Sequence, residues 1–299
     1  MSCCVKHRPF ESQAGMYDSE FLYGLKKGSK KEVIEWCMGM DMIAKEFVCP
    51  TCAEKMVLTE KNCSDGYAWV CRKFGVNEHH IKRTVRKGSW FEENKSTIPE
   101  VLILTYLWVK KTPNEWIVDE MNVSEPTVVD WKRFCREVCV NRLVKDSKDK
   151  LGGVGMVVEI DESKFGKRKY NRGKRVNETL IEITKKNVEP GNTILSDCWP
   201  SYNGLMAEGY VHYIINHSKN FKDPVTGVHT NGIEDTWNAI KTDFRKQGTR
   251  KVEGQFDTYL AEYMWWRSYR GASMKFLFPS SFEASLNYIH LIRKIPLNE

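Results

Sequence analysis

The sequence lacks an apolar run long enough to cross a membrane. A membrane helix needs about 20 consecutive apolar residues, whereas the longest run here, residues 101–109, has the length of a buried helix. Residues 1–10 also lack the apolar stretch of a secretory signal, so we expect no secretion. The sequence contains no internal repeat. These absences exclude membrane, collagenous and coiled-coil proteins, and they predict that no membrane is a partner.

The composition is typical of a folded globular protein. Of the 299 residues, 41% are hydrophobic and 28% are charged, and the net charge of +7 is compatible with a nucleic-acid partner. Ten cysteines in a protein expected to be intracellular favour metal binding over disulfides. Helical patterns precede a polar, glycine-containing link at residues 147–155, and strand-like and helix-like segments alternate after it. The sequence therefore predicts a multidomain protein of mixed α+β and α/β class.

A cysteine-rich module occupies residues 47–91. It begins with a CxxC turn, a geometry that lets two thiolates face one metal ion. The residues that could close a tetrahedral structural Zn²⁺ site are Cys49, Cys52, Cys71 and either His79 or His80. Unconnected thiols remain an alternative, and Cys63 could replace one of these ligands. Redox activity is less consistent with the sequence, because no βαβ pattern surrounds the CxxC.

Residues 92–146 have the pattern of a helix-turn-helix. An apolar-faced helix over 98–110 precedes a second helix that ends near Met121, and residues 122–124 form a turn whose Ser124 caps a third helix. The predicted core face of the third helix is Val128, Val129, Trp131, Phe134, Cys135 and Val138. The side chains that could face DNA are Thr127, Asp130, Lys132 and Arg133. Any helical bundle would show a similar periodicity.

Three acidic residues follow strand-like or precede helix-like segments. Asp161 ends the apolar run 156–160, and Asp197 ends a second short strand. Glu234 opens a helix on which Lys241, seven residues later, lies along the same face. Three acids of this kind suit a two-metal phosphoryl-transfer site that holds Mg²⁺ or Mn²⁺. Taken singly, each acid could equally be a solvated or capping residue.

Several motifs in order resemble the Merlin family of DNA transposases, which is grouped with bacterial insertion-sequence transposases of the ISXO type. They include residues 158–163, 165–168, 196–199, 216–218, 221–224 and 229–234. The resemblance implies an RNase H-like catalytic core whose acidic triad is Asp161, Asp197 and Glu234, with Lys241 as the accompanying basic residue. It implies Mg²⁺-dependent cleavage at terminal inverted repeats and joining of the 3′ ends to target DNA, by assemblies of more than one copy.

The sequence patterns, together with the resemblance, divide the chain into modules. These are N-terminal helices (1–46), a zinc-ribbon-like module (47–91), a helix-turn-helix region (92–146), a transposase domain (156–270) and a C-terminal tail (271–299).

Asp161 and Asp197 are only 36 positions apart, which leaves too little chain for two further strands, their hairpins and a helix. We therefore expect a core that lacks two strands. A non-catalytic DNA-binding protein derived from a transposase is the alternative.

Two groups of basic residues are further candidates for DNA contact. The denser group comprises Lys164, Lys167, Arg168, Lys169, Arg172, Lys174 and Arg175. Such a segment could bind phosphates, serve as a nuclear import signal or be a solvated loop. We expect the protein in the nucleus. The second group, beside the cysteine module, comprises Lys82, Arg83, Arg86 and Lys87.

Overall fold

The computed structural model describes residues 17–146, 150–153, 155–163, 179–215, 231–246 and 255–268. The chain divides into two compact units, Met1–Arg142 with Trp266–Glu299, and Leu143–Trp265. Both contain helices and a sheet, which confirms the mixed fold class. Within the described part of the chain, none of the helices combines the length and the apolar character that a membrane crossing requires.

The first unit opens with two short helices whose ends are set by polar caps. They are α1 (Ser19–Lys27) and α2 (Lys30–Gly39). Asp18 accepts a hydrogen bond from the Phe21 backbone N–H at the start of α1. Ser29 and Glu32 exchange hydrogen bonds with each other's backbone N–H at the start of α2. Such caps satisfy backbone donors that a helix leaves unpaired in its first turn.

A three-stranded antiparallel sheet follows. Its strands, in spatial and chain order, are β1 (Val57–Glu60), β2 (Tyr67–Lys73) and β3 (His79–Thr84). Cys71 lies opposite Ile81, and Trp69 lies opposite Arg83. Trp69 and Cys71 are buried, so the face of the sheet that contains them is turned to the interior of the cysteine module. Alternate residues of each strand point to the other face.

Three helices complete the described first unit ahead of the division at Arg142. They are α3 (Ile98–Val109), α4 (Asn114–Met121) and α5 (Glu125–Asp146), close to the predicted positions. Ser124 accepts a hydrogen bond from the Thr127 backbone N–H at 3.4 Å, as predicted for the cap of the third helix. Val128 and Trp131 are buried, but Val129 is 43% exposed. Assigning Val129 to the core was therefore wrong, because the buried stripe of α5 passes beside it.

The second unit is built on a three-stranded parallel sheet in the order β4, β5, β6. Its elements are β4 (Val157–Glu159), α6 (Thr179–Asn187), β5 (Thr193–Asp197), β6 (Val211–Ile215) and α7 (Asn231–Lys246). A last helix, α8 (Phe256–Ser268), ends across the division between units. Ile194 and Leu205 are fully buried in a core that also contains Tyr202 and Tyr210. Parallel pairing brings the carboxyl ends of β4 and β5 to the same edge of the sheet.

The segment in which two strands are expected to be missing lies mostly outside the described residues. Between β4 and α6 the structure describes residues 160–163, and these contain no strand. Residues 164–178, including all seven members of the denser basic group, lie outside the described part of the chain. The C-terminal tail at 271–299 lies outside it as well.

Candidate metal centres and catalytic residues

Three cysteines and one histidine converge beside the first sheet. Cys49 and Cys52 lie on a turn closed by the hydrogen bond from the Ala53 backbone N–H to the Cys49 carbonyl, at 2.9 Å. Cys71 comes from β2 and His79 from the start of β3. The His79 Nε2 lies 3.5 Å from the Cys49 Sγ and 3.3 Å from the Cys71 Sγ, and the Sγ atoms of Cys52 and Cys71 are 3.7 Å apart.

A backbone carbonyl and the strand register together favour His79 over His80 as the fourth ligand. The Asn77 carbonyl lies 2.8 Å from the Nδ1 of His79, so this nitrogen can donate to it while Nε2 turns its lone pair to the sulfurs. His80, the next residue of β3, points to the opposite face and is exposed. Cys63 is exposed too, and its thiol faces the Tyr67 carbonyl. The structure thus brings together Cys49, Cys52, Cys71 and His79.

The donor set and its spacing fit a tetrahedral Zn²⁺ ion. With Zn–S distances of about 2.3 Å and Zn–N of about 2.1 Å, ligand atoms are about 3.5–3.8 Å apart. Burial raises the pKa of the Cys49 thiol, but hydrogen bonds from the Cys52 and Thr51 backbone outweigh it and bring the pKa to about 6. Burial and the neighbouring sulfurs raise the pKa of Cys71 to about 12. A divalent cation would stabilise the Cys71 thiolate, which burial and the neighbouring sulfurs disfavour.

A second cluster, of carboxylates, lies at the shared edge of β4 and β5. Asp197 is the last residue of β5, and Asp161 and Glu162 follow β4 by two and three residues. One carboxylate oxygen from each of the three lies within 4.8 Å of the others, and all three residues are half-buried. Carboxylate oxygens are the ligands that Mg²⁺ prefers in proteins, so the cluster offers donor atoms for a shared cation.

Hydrogen bonds from a buried tyrosine and from the backbone hold the carboxylate cluster in place. The hydroxyl of Tyr202, whose side chain is buried, donates a hydrogen bond to Glu162. The Trp199 backbone N–H donates to Asp197 Oδ1 at 3.0 Å. Burial raises the pKa of Glu162, and the Asp197 and Asp161 carboxylates raise it further, while the Tyr202 hydrogen bond lowers it. A bound cation would offset the repulsion among the carboxylates of this cluster.

A serine and a histidine lie beneath Asp197. The Ser196 Oγ is 2.8 Å from the Nε2 of His212 on β6, and Ser196 is fully buried. Burial lowers the pKa of His212, which favours the neutral imidazole. The His212 ring also packs edge-on against the Tyr202 ring. The pair therefore links β5 and β6 through neutral groups and adds no charge to the cluster.

Glu159 connects β4 to the helix that carries Glu234. Its Oε2 accepts a hydrogen bond from the Ile233 backbone N–H at 2.8 Å, in the first turn of α7. A side chain at Gly232 would bring its Cβ to 2.9 Å from the same oxygen, so glycine permits this approach. Glu234 is the next residue after Ile233, and Lys241 lies seven residues further along α7. Within the described residues, Glu234 is not part of the carboxylate cluster.

Two of the residues predicted to contact DNA, Lys132 and Arg133, have different surroundings on α5. Arg133 is exposed on α5, 3.4 Å from Glu137 one turn later. The ammonium of Lys132 donates to the Thr112 carbonyl at 2.7 Å, which joins α5 to the segment before α4. Lys132 therefore has a structural partner in addition to any role on DNA.

Sequence reasoning overlooked two acids in this unit. Glu162 was not chosen as a site residue, although it directly follows Asp161 and its carboxylate joins the cluster. Glu159 interrupts an otherwise apolar strand, where a carboxylate is costly unless it has a partner. That partner, the N-terminus of α7, lies 74 residues away in the chain. Local pattern contains no information on such a contact.

Comparisons with known proteins agree with the position of the second unit. The sequence model of the ISXO2-like transposase domain matches residues 150–268. An uncharacterized transposase-like protein of Haemophilus influenzae is 32% identical over 87 residues, which cover 29% of this chain and 68% of that protein. No solved structure matches the chain. The carboxylate cluster lies inside the matched region, and the chain belongs to the insertion-sequence transposase family defined by the ISXO2-like domain.

Proposed function

We propose that the protein is a DNA transposase of Merlin type that cuts DNA at terminal inverted repeats and joins the 3′ ends to a target. The observation that carries this proposal is the cluster of Asp161, Glu162 and Asp197 at the ends of two parallel strands. Family membership supports DNA as the substrate. In this proposal Asp161, Asp197 and Glu234 form the catalytic triad.

The chain's own residues would build a site for a divalent metal and the reacting phosphate. Asp161 and Asp197 would hold Mg²⁺ or Mn²⁺, with Glu162 beside them under the Tyr202 hydroxyl. When bound, such a metal activates the attacking oxygen and stabilises the leaving oxygen. Glu159 fixes the first turn of α7, so that Glu234 has a defined place and Lys241 follows on the same helix face for a phosphate.

The sheet of the second unit supports an RNase H-like core. Its strand β4, the strand that precedes the first Asp, pairs in parallel with β5, the strand that ends in the second Asp. The core would begin with an antiparallel meander at the first Asp, and its further strands would fall among residues 164–178, outside the described residues. The short connection is why we keep a catalytically inactive descendant as the second candidate function.

The first unit would serve DNA recognition. Its Cys49, Cys52, Cys71 and His79 cluster fits a structural Zn²⁺ ion that stabilises a ribbon-like module. Helices α4 and α5 are joined by a short turn in which Asn122 has a φ of 52°. This arrangement supports a helix-turn-helix in which α5 presents Arg133 to the major groove. We further propose that the protein acts in the nucleus and as an assembly of more than one copy.

The test is metal-dependent nicking of a labelled duplex that carries the element's own terminal repeats. We expect the parent chain to nick this duplex with Mg²⁺ or Mn²⁺, and not without a divalent ion. Asp161→Ala, Asp197→Ala and Glu234→Ala should each reduce nicking at least 1,000-fold, because each removes a group that binds metal or reacting phosphate.

The control variant is Asp235→Ala, which removes an exposed acid next to Glu234 on the same helix. It should retain the parental rate. Absence of nicking by the parent, with salt-sensitive binding of the repeats retained, would contradict the enzyme proposal and favour the non-catalytic DNA-binding protein. Equal losses in Glu234→Ala and Asp235→Ala would remove Glu234 from the triad.

A further inference from the structure

The first sheet has two faces with different surroundings. One face contains Trp69 and Cys71, which are buried over the cysteine cluster. The residues of the opposite face follow from the strand register, in which Thr59 pairs with Ala68 and Val70 with Lys82. Along the strands and the position after β1, that opposite face consists of Val57, Thr59, Lys61, Ala68, Val70, Arg72, His80, Lys82 and Thr84. We call it the open face.

The open face is positively charged and accessible. Its basic side chains are Lys61, Arg72, His80 and Lys82, all four exposed, and Val57 between them is 66% exposed. All of β1–β3 is described, and none of the strand residues of this face is acidic.

Two further basic residues of the same sequence region, Arg86 and Lys87, pair with acidic residues. Arg86 is buried, donates two hydrogen bonds to Asp65 and donates two more to the carbonyls of Asn94 and Ser96. Lys87 pairs with Glu92. The run of basic residues seen in the sequence therefore does not form one patch, and treating Arg86 as a phosphate contact was wrong. Arg86 has instead a structural role.

The basic side chains of the open face keep their charges available. None of Lys61, Arg72 and Lys82 forms an ion pair with a described residue of the chain. The Arg72 guanidinium lies over the Phe74 ring, 4.6 Å from its centroid, a contact that leaves its N–H groups able to donate. The other strand residues of this face are Val57, Thr59, Ala68, Val70 and Thr84, and none of them carries a charge. A surface with only positive charges complements a row of phosphates.

From this geometry we propose that the open face binds the phosphate backbone of duplex DNA without regard to base sequence. The proposal rests on the proposed action on DNA and adds a surface to it. The face would position DNA on the first unit, since contacts to phosphates orient a protein on the duplex while base contacts specify the site. His79 and Cys71 lie on the other side of the sheet, so the metal cluster would hold the face rigid from behind.

The test measures the binding of the full-length, zinc-loaded chain to a duplex of arbitrary sequence over a range of salt concentrations. Arg72→Gln with Lys82→Gln should weaken binding by about tenfold to a hundredfold at 0.1 M salt. The slope of log K against log salt should become shallower by about 1.8, because two phosphate contacts are lost.

The matched control is Lys55→Gln with Lys73→Gln. These two lysines belong to the same module but already pair with Glu46 and Glu54. The control should keep the parental slope, and zinc content should be equal in all three proteins. Equal loss in both double variants, or no loss in either, would overturn the open face while leaving DNA as the substrate. Failure of the parent to bind any duplex would overturn the proposed function as well.

Discussion

At the scale of single residues, Tyr202 decides the environment of Glu162. Its ring is buried in the core of the second unit while its hydroxyl reaches the carboxylate cluster. A hydrogen bond donated to a carboxylate favours the ionised form and fixes which oxygen remains to bind a metal ion. Tyr202 thereby offsets part of the repulsion from Asp161 and Asp197. The Tyr202 side chain thus orients a carboxylate of the cluster for binding a cation.

We expect Tyr202→Phe to weaken divalent-metal binding by about tenfold to a hundredfold, the usual effect of removing a group that orients a metal ligand. Titration of the protein with Mn²⁺, followed calorimetrically, would measure it. Tyr210→Phe is the control, because Tyr210 is buried in the same core but donates to the Val188 carbonyl at 2.9 Å. A similar change in both variants would mean that core destabilisation, and not the hydrogen bond to Glu162, causes the effect.

The two histidines show what sequence reasoning could and could not reach at this scale. The spacing from Cys71 allows either His79 or His80, so sequence alone left the choice open. The strand register then sends these neighbours to opposite faces, and the Asn77 carbonyl orients His79. Cys49 and Cys52 could be selected beforehand, because the CxxC spacing is itself a metal-binding pattern. Cys71 was selected with Cys63 as an alternative, and the structure places Cys63 at the surface.

At the scale of elements, the start of α3 illustrates how a helix acquires its first turn. Thr97 and Glu100 form a reciprocal pair of hydrogen bonds with each other's backbone N–H. Lys26 on α1 lies 3.6 Å from Glu100. Burial raises the pKa of Glu100, but the Thr97 hydrogen bonds and Lys26 outweigh burial and lower it overall. The ionised form is therefore the one that stabilises the folded state.

Because the pKa of Glu100 is lowered on folding, its stabilisation exists above its unfolded pKa and is lost as the pH falls through the folded one. We expect Glu100→Gln to cost about 0.5–1 kcal/mol at neutral pH. The difference from the parent should shrink in acid, as measured by urea unfolding at several pH values. Glu20→Gln, in the first turn of α1, should show a smaller difference. A cost that does not change with pH would contradict the assignment.

Helices and the strands that end in an acid were predictable at this scale, whereas the sheet pairing was not. The boundaries of α4 and α5 follow from local turn and cap signals such as Ser124. The runs before Asp161 and Asp197 marked β4 and β5. The strand β6 was not singled out beforehand, although all of its residues except His212 are β-branched or aromatic. Pairing depends on contacts between distant segments.

At the scale of the whole molecule, Arg86 ties the cysteine module to the helices that follow it. Its buried ion pair with Asp65 reaches the loop between β1 and β2, and its other N–H groups reach the carbonyls of Asn94 and Ser96 just before α3. A buried charge that loses its partner costs about 3–5 kcal/mol. Disturbing the module should therefore also disturb the start of α3.

We expect zinc removal by a chelator to unfold the cysteine module and to increase hydrogen exchange in the first turn of α3, while β5 keeps its protection. The reason is that binding energy of a structural zinc ion is folding energy, and that β5 belongs to the other unit. Metal analysis should find one zinc per chain, lost in Cys49→Ser and retained in Cys63→Ser. Unchanged exchange across β2 after metal removal would contradict a structural zinc site.

The contact between Glu159 and Gly232 also affects how this domain can change over generations. The glycine leaves room for the carboxylate that caps α7, and a Cβ there would come within 2.9 Å of it. A change at either position alone disturbs the start of the helix, whereas a smaller acid at 159 would make room for alanine at 232. The effect of a substitution at one of these two positions therefore depends on the residue at the other, so the order in which they mutate decides which combinations can be reached.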